Sequence, residues 1–311
     1  MANYYEALAK ALRVGDVTRI TSLDKKKECL IQNNEVIYGE TLKDDGSLIV
    51  ETIKPEVHLV LFGAGHIAKA IYDIATILKM KITVLDEREE TLNEERFPYA
   101  NRILMPYENI FKTEFSFFRP YFIILTHGHA YDKDALRYCL TKNYSYLGMI
   151  GSRGKVAATK DALEEEGFDR ALLDSIHSPI GLSIGAETPE EIAISIISEV
   201  IQSYRSEKSL VNLNPDYLES VKGKRGISIR IIEKHGSAPR AVGSEIFVTE
   251  DEAIGTIGGG AIEKNAIDQA RSMLEYDEVF SIFEHSLSSK GDLGMICGGN
   301  VKLLYQLRLP K

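Results

Sequence analysis

From Val57 onward the chain carries continuous apolar runs, "VHLVLFG", "KITVLDE", "RILMP", "YFIILTHGH" and "YSYLGMIGS", separated by stretches with helical spacing. A strand covered on both faces is apolar at every position, so this succession predicts a doubly wound parallel sheet of the Rossmann-like α/β class. The block closes with "TPEEIAISIISEVIQSYR". Thr188 is the expected N-cap, Pro189 the first helical residue, and Glu191 the far side of a capping box. Ile192, Ile196 and Val200 then share one helical face.

On either side the pattern is shorter. Residues 1–54 predict a helix with apolar positions Tyr5, Leu8 and Leu12. The β pieces "KKECLIQ", "NEVIYGET" and "SLIVETI" follow, punctuated by turns at Asn33-Asn34 and Asp45-Gly46. Residues 206–219 are polar, contain Asn214-Pro215 and read as a linker. Beyond them the order is strand, glycine turn, strand, glycine turn, helix, then a final turn and strand in "GMICGGNVKLLYQL". The expected organisation is an α+β segment at 1–54, a Rossmann-like domain at 55–205, a linker at 206–219 and a smaller glycine-rich α+β domain at 220–311.

Composition narrows the function classes. The 311 residues leave room for two domains at about 150 residues each. With 37 Lys and Arg against 46 Asp and Glu, the net charge of −9 repels a polyphosphate backbone, so no nucleic-acid partner is expected. Cys29, Cys139 and Cys297 are odd in number and far apart, which fits neither a disulfide framework nor a CxxC zinc pair and points to a reducing compartment. No run approaches the roughly 18 apolar residues of a membrane span, and the N-terminus lacks a basic start and an apolar core. The expected location is the cytoplasm.

Four places carry candidate chemistry. Gly63-Ala64-Gly65-His66-Ile67-Ala68 fits G-x-G-x-x-A after a strand and at a helix start, where free backbone N–H groups favour an anion. Asp86, 21 residues after Gly65, stands where a dinucleotide site has its ribose-binding acid, so NAD is one reading and simple helix–strand packing the other. "LTHGHAYD" brings Thr126, His127, His129 and Asp132 to a strand end. A His-x-His pair with a carboxylate suits zinc, but the Asp stands one residue too late for the metallo-β-lactamase pattern, and hydrogen-bonded turn and cap residues explain the set equally well. In "MIGSRGK", Gly151, Ser152, Arg153 and Lys155 offer a hydroxyl, backbone donors and two cations to an anion. The last block adds Arg240, the Gly258, Gly259 and Gly260 turn, Glu263 and Cys297, whose thiol is functional only if exposed and acidic.

Together "LFGAGHIAKA", "VLDERE", "RFPYA", "THGHAYDKDAL", "YLGMIGSRGK", "PIGLSIGAETPEEIAISIISEV", "GSAPRAVGSEIFV", "GTIGGGAIE" and "MICGGNV" resemble the XdhC/CoxI family, the accessory factors of xanthine dehydrogenase and carbon monoxide dehydrogenase. The resemblance spans residues 57–205 and 224–307. It implies a chaperone without turnover of its own, which binds molybdenum cofactor (molybdopterin), holds it while a cysteine desulfurase supplies sulfur, and delivers it to an apo-molybdenum hydroxylase. On that resemblance Gly63, Gly65 and His66 line the anion side, with Arg153, Lys155 and Arg240 as cations. Asp86 and Arg88 meet a hydroxyl or pterin edge, and His127, His129 and Ser152 surround the reactive end. Cys297 and the Gly258 to Gly260 loop come from the second domain. The glycine-rich domain usually precedes the Rossmann domain in this family; here it follows, and residues 1–54 look like a truncated relative of it. A homodimer is expected. The competing readings are an NAD-dependent oxidoreductase and a metal-dependent hydrolase.

Overall fold

The computed structural model describes residues 3–310 apart from 45, 55, 118–119, 207–209, 214, 237–239 and 287–299. The chain opens with α1 (Tyr4–Leu12), β1 (Val17–Ser22), β2 (Lys27–Gln32), β3 (Glu35–Tyr38) and β4 (Leu48–Lys54). Next come β5 (His58–Phe62), α2 (His66–Ile77), β6 (Lys81–Asp86), β7 (Asn101–Leu104), α3 (Tyr107–Ile110), β8 (Pro120–Ile124), α4 (Asp132–Leu140), β9 (Tyr146–Met149), α5 (Arg153–Glu165), α6 (Arg170–Asp174) and α7 (Pro189–Arg205). The remainder is β10 (Leu210–Asn212), α8 (Pro215–Val221), β11 (Gly226–His235), β12 (Glu245–Val248), β13 (Ala253–Gly255), α9 (Gly260–Glu275), β14 (Phe280–Ser286) and β15 (Asn300–Arg308).

Residues 56–208 form one compact unit. Its five strands are all parallel, in the order β7-β6-β5-β8-β9. Every residue of β5 and β8 is buried, which is why their sequences read as unbroken apolar runs. One face is covered by α2 and α7, whose Ala68, Ile71, Ala75, Ile196 and Val200 pack together; Leu136, Val156 and Leu163 of α4 and α5 cover the other. The Thr188 capping box is formed as expected, with Glu191 accepting from the Thr188 N–H at 3.0 Å.

Residues 1–55 and 209–311 form the second compact unit. It holds two mainly antiparallel sheets, β10-β4-β1-β2-β3 and β13-β12-β11-β15-β14. Read from one end, the orders β4-β1-β2-β3 and β15-β11-β12-β13 are the same, with the same antiparallel pairings. Gly39 and Gly255 also correspond: both have positive φ (76° and 91°), and an added Cβ would collide with the carbonyl oxygens of Glu28 and Glu245. The stretch that reads as a linker contributes β10, parallel to β4, and α8, whose Leu218 and Val221 are buried with Leu8 and Phe247. The polar texture there reflects a short edge strand and a seven-residue helix rather than free chain.

Between the sheets lies a buried charge network. Arg19 bonds Glu51 at 2.9 Å and Glu245 at 3.3 Å, Arg230 bonds Glu28 at 3.2 Å, and Arg308 bonds Glu28 at 2.7 Å. Tyr5 and Tyr217 both donate to Glu245, at 2.6 and 2.9 Å.

Candidate functional site

Because the sheet of residues 56–208 is parallel, the carboxyl ends of β5, β6, β8 and β9 share one edge, and Gly63, Asp86, Thr126 and Gly151 stand along it. Strand order reverses between β5 and β8, the place where open α/β sheets bind ligands.

The two glycines of the first turn differ in physical cause. Gly63 has φ 122°, and a Cβ there would enter the backbone of Leu125, so the close approach of β5 and β8 requires glycine. Gly65 has φ −68° and ψ −169°, open to any residue, and nothing lies within 4 Å of where its Cβ would be. Neither φ nor packing demands glycine at 65, which stands at the N-cap of α2, where glycine is among the favoured residues. No side chain caps α2, while Ser152 caps α5 and Thr188 caps α7. His66, the first residue of α2, is exposed. The first backbone N–H groups of α2 thus have no side-chain cap, and a helix start of this kind favours an anion.

Asp86 is fully buried and has no acceptor capacity to spare. Its Oδ1 accepts from the Arg88 backbone N–H at 3.0 Å and from Arg88 Nε at 2.9 Å; Oδ2 accepts from the Ala64 N–H at 2.7 Å and from an Arg88 terminal nitrogen at 2.8 Å. Four bonds fill the lone-pair sites of a carboxylate. Burial pushes its pKa up, but the Arg88 and Ala64 hydrogen bonds outweigh it and hold the carboxyl below its ordinary value. In this arrangement Asp86 anchors the glycine turn and fixes Arg88 at the edge. Arg96 completes the clamp, donating to the Ala64 carbonyl at 3.1 Å and to the Thr91 carbonyl at 2.7 Å.

At the end of β8, Thr126 donates to Asp132 at 2.5 Å, and both are buried. His127 is exposed, and Gly128 takes φ 60° to turn the chain. The side chain of His129 lies outside the described residues. Among the described residues no group of three His, Cys, Asp or Glu could hold a metal ion. Beyond β9, Ser152 caps α5 by accepting from the Lys155 N–H at 3.4 Å, and Arg153 and Lys155 are exposed at the helix start.

The remaining candidates belong to the other compact unit. Gly258, Gly259 and Gly260 all have positive φ (130°, 72° and 67°). Glu263 stitches their turn, accepting from Thr256 Oγ1 at 2.6 Å and from the N–H groups of Ile257 at 2.9 Å and Gly259 at 3.1 Å. Burial raises its pKa, but these bonds prevail and lower it. Arg240 is exposed. Cys297 lies outside the described residues. Cys29 and Cys139 are buried, and burial pushes both thiols up, so neither is a ready nucleophile.

Three residues of this region are given no role by the sequence: Arg96 and Tyr131, which stand inside "RFPYA" and "THGHAYDKDAL", and Tyr107. Tyr107 is buried, and its ring stacks on Tyr131 at 4.7 Å. Burial first, then the Asp86 charge, pushes its phenol well above the ordinary range. A cation and two rings after apolar strands are the available signal, and core packing explains rings as readily.

Comparisons with known proteins agree with this division. The XdhC Rossmann domain model matches residues 59–200, and the XdhC and CoxI family model matches residues 221–281. The chain is 37% identical over 144 residues to "Uncharacterized protein YqeB" of Escherichia coli (strain K12), covering 46% of this chain and 27% of that one. It is 30% identical over 158 residues to a probable xanthine dehydrogenase subunit of Bacillus subtilis (strain 168), covering 50% of this chain and 46% of that one. A crystal structure described as a xanthine dehydrogenase from Bacillus halodurans is similar with a TM-score of 0.52 and 25% identity, over 65% of this chain and 64% of the other. The chain thus spans less than half the length of these curated relatives. Among the described residues no helix is long and apolar enough to cross a membrane.

Proposed function

We propose, from the premise that this chain belongs to the XdhC/CoxI family, that it is an accessory factor for a molybdenum hydroxylase, binding molybdenum cofactor as cargo and handing it to the apo-enzyme. The observation that carries this reading is Gly65, a glycine that neither conformation nor packing requires, at an uncapped helix start on the ligand edge of a parallel sheet. The cargo is an anionic pterin with a phosphate, and backbone N–H groups at such a start, with Arg88, Arg153 and Lys155 along the same edge, have the chemistry to hold its anionic end. His66, Thr126, His127, His129, Asp132 and Ser152 surround that edge in this reading. The saturation of Asp86 weighs against NAD in the same place.

Sulfuration by a cysteine desulfurase before transfer, action in the cytoplasm and assembly as a homodimer belong to the same proposal. Arg240, Gly258 to Gly260 and Cys297 are its second-domain contributors, with Glu263 as the brace of that glycine turn. Residues 1–54 are, in this reading, a truncated relative of the C-terminal domain. The shared strand order and the matching Gly39 and Gly255 support that kinship.

The test is a binding titration with molybdenum cofactor, paired with NADH, followed by transfer to an apo-hydroxylase. Saturable cofactor binding with transfer and no NADH binding is expected; NADH binding alone would overturn the reading. Gly65→Val should weaken cofactor binding at least tenfold while changing stability by less than about 1 kcal/mol, since its side chain enters open space. Neutralising Arg153 and Lys155 together should also weaken it, and unchanged affinity would remove them from the site.

A further inference from the structure

The unit built from residues 1–55 and 209–311 contains two halves in the same register. Thr21 lies opposite Glu28 in the β1–β2 ladder and Arg230 opposite Glu245 in the β11–β12 ladder, and the carbonyls of these two glutamates are the ones that Gly39 and Gly255 approach. Aligning the halves through this register carries Leu30 onto Phe247 and Tyr38 onto Ile254. It also carries Leu12, the last residue of α1, onto Val221, the last residue of α8. All six residues belong to one apolar cluster, and α1 packs on α8. A residue shares a cluster with its own counterpart when both halves use the same patch, as in an isologous two-fold contact.

The charges follow the same rule. Glu28 accepts from Arg230 at 3.2 Å and Arg308 at 2.7 Å, and its counterpart Glu245 accepts from Arg19 at 3.3 Å. Each glutamate thus takes its arginine from the opposite half. The ends agree: β10, which precedes α8, pairs with the end of β4, and Asn3, which precedes α1, donates to the carbonyls of Leu309 and Pro310 beyond β15 at 2.8 and 3.2 Å. The halves differ in what they keep. Residues 39–47 join β3 to β4 where the C-terminal half carries α9 and β14, and their sequence holds no counterpart of Gly258-Gly259-Gly260.

We infer that the face which β11, β12 and α8 turn to residues 1–55 is a self-association face, whose fitting partner is a second copy of the same half, and that residues 3–54 occupy it as a built-in subunit. The unit is then a two-fold dimer of half-domains on one chain, with the glycine turn kept on one side. A homodimer of whole chains must meet through another surface. The inference rests on the kinship of the two halves proposed above and not on the cargo, and its test reads no cofactor.

The experiment uses the full chain. Leu8→Asp with Leu30→Asp puts two unpaired charges into the buried cluster and should expel residues 3–54, leaving the C-terminal face chemically intact. The freed face should pair with that of another copy, so sedimentation should give twice the mass of the unaltered chain at equal concentration. Adding Phe247→Asp should return the mass to that of the unaltered chain. An unchanged mass in the first variant, or a doubling that survives Phe247→Asp, overturns the inference. An exchange across the axis keeps the test decisive if those variants do not fold. Leu30→Phe and Phe247→Leu should each lower the urea midpoint, and the two together should recover at least half of the summed loss, since each side chain takes its counterpart's place. Losses that simply add overturn the two-fold relation. The cofactor titration is indifferent to either result, so the two readings fail separately.

Discussion

Two single residues set measurable behaviour. His58 is buried in β5 with its Nε2 2.8 Å from Thr83 Oγ1. Burial, aided by the Lys81 charge, lowers its pKa from 6.5 to about 4. The unfolded chain therefore takes up a proton that the folded one refuses, and stability falls as pH drops from about 6.5 to about 4, by on the order of 3 kcal/mol. Denaturant titrations at pH 7 and 4.5 should give a smaller difference for His58→Gln than for the unaltered chain; equal differences would rule the histidine out. Asp86 makes the second case. Asp86→Asn replaces an acceptor by a donor against Arg88, and should lower the melting temperature by several degrees and loosen Arg88 and the glycine turn together. Amide exchange at Ala64 would report it directly. The sequence marks Asp86 by its spacing after Gly65, but its partners are invisible there, because a carboxylate two residues before an arginine can face solvent as easily as clasp it.

Among elements, legibility follows burial on both faces. The five parallel strands and α7 are readable because apolar runs and a capping box admit few alternatives. β1, the central strand of its sheet, does not read as a strand: "VTRITS" interleaves polar residues because Arg19 and Thr21 reach the buried charge network instead of an apolar core. α8 and β10 are hidden for the converse reason, being short elements whose ladder bonds and apolar contacts come from residues outside the segment: β4 for β10, and Leu8 and Phe247 for α8. Gly255 tests whether the end of β13 is as demanding as its geometry. Gly255→Ala must hold φ near 91° and meet Glu245 and Tyr217, at a cost of roughly 1 to 3 kcal/mol. The same change at Gly65, an N-cap with no steric neighbour, should cost about 1 kcal/mol or less, and thermal melts of the two variants compare them.

For the molecule as a whole, the network between the two sheets governs acid tolerance. Burial raises the pKa of Glu28, but the charges of Arg308, Arg230 and Arg19 overcome it and bring it to about 2. Its contribution is intact above the ordinary carboxylate pKa of 4.5 and is lost as pH falls from there toward 2. Removing one partner strands the others: Arg230→Leu should destabilise by about 3 to 5 kcal/mol, seen as a lower urea midpoint.

The same network ties residues 1–55 to Arg230, Glu245 and Arg308, across the whole of the intervening unit. During synthesis the first sheet reaches solvent long before its charge partners exist. At about 5 to 20 residues per second, the wait for Arg308 is roughly 10 to 50 s. The contiguous unit at 56–208 can close in that interval, while the earlier segment waits with Arg19 and Glu28 still hydrated. On this timing, residues 1–55 complete their contacts only after the unit that follows them in the chain.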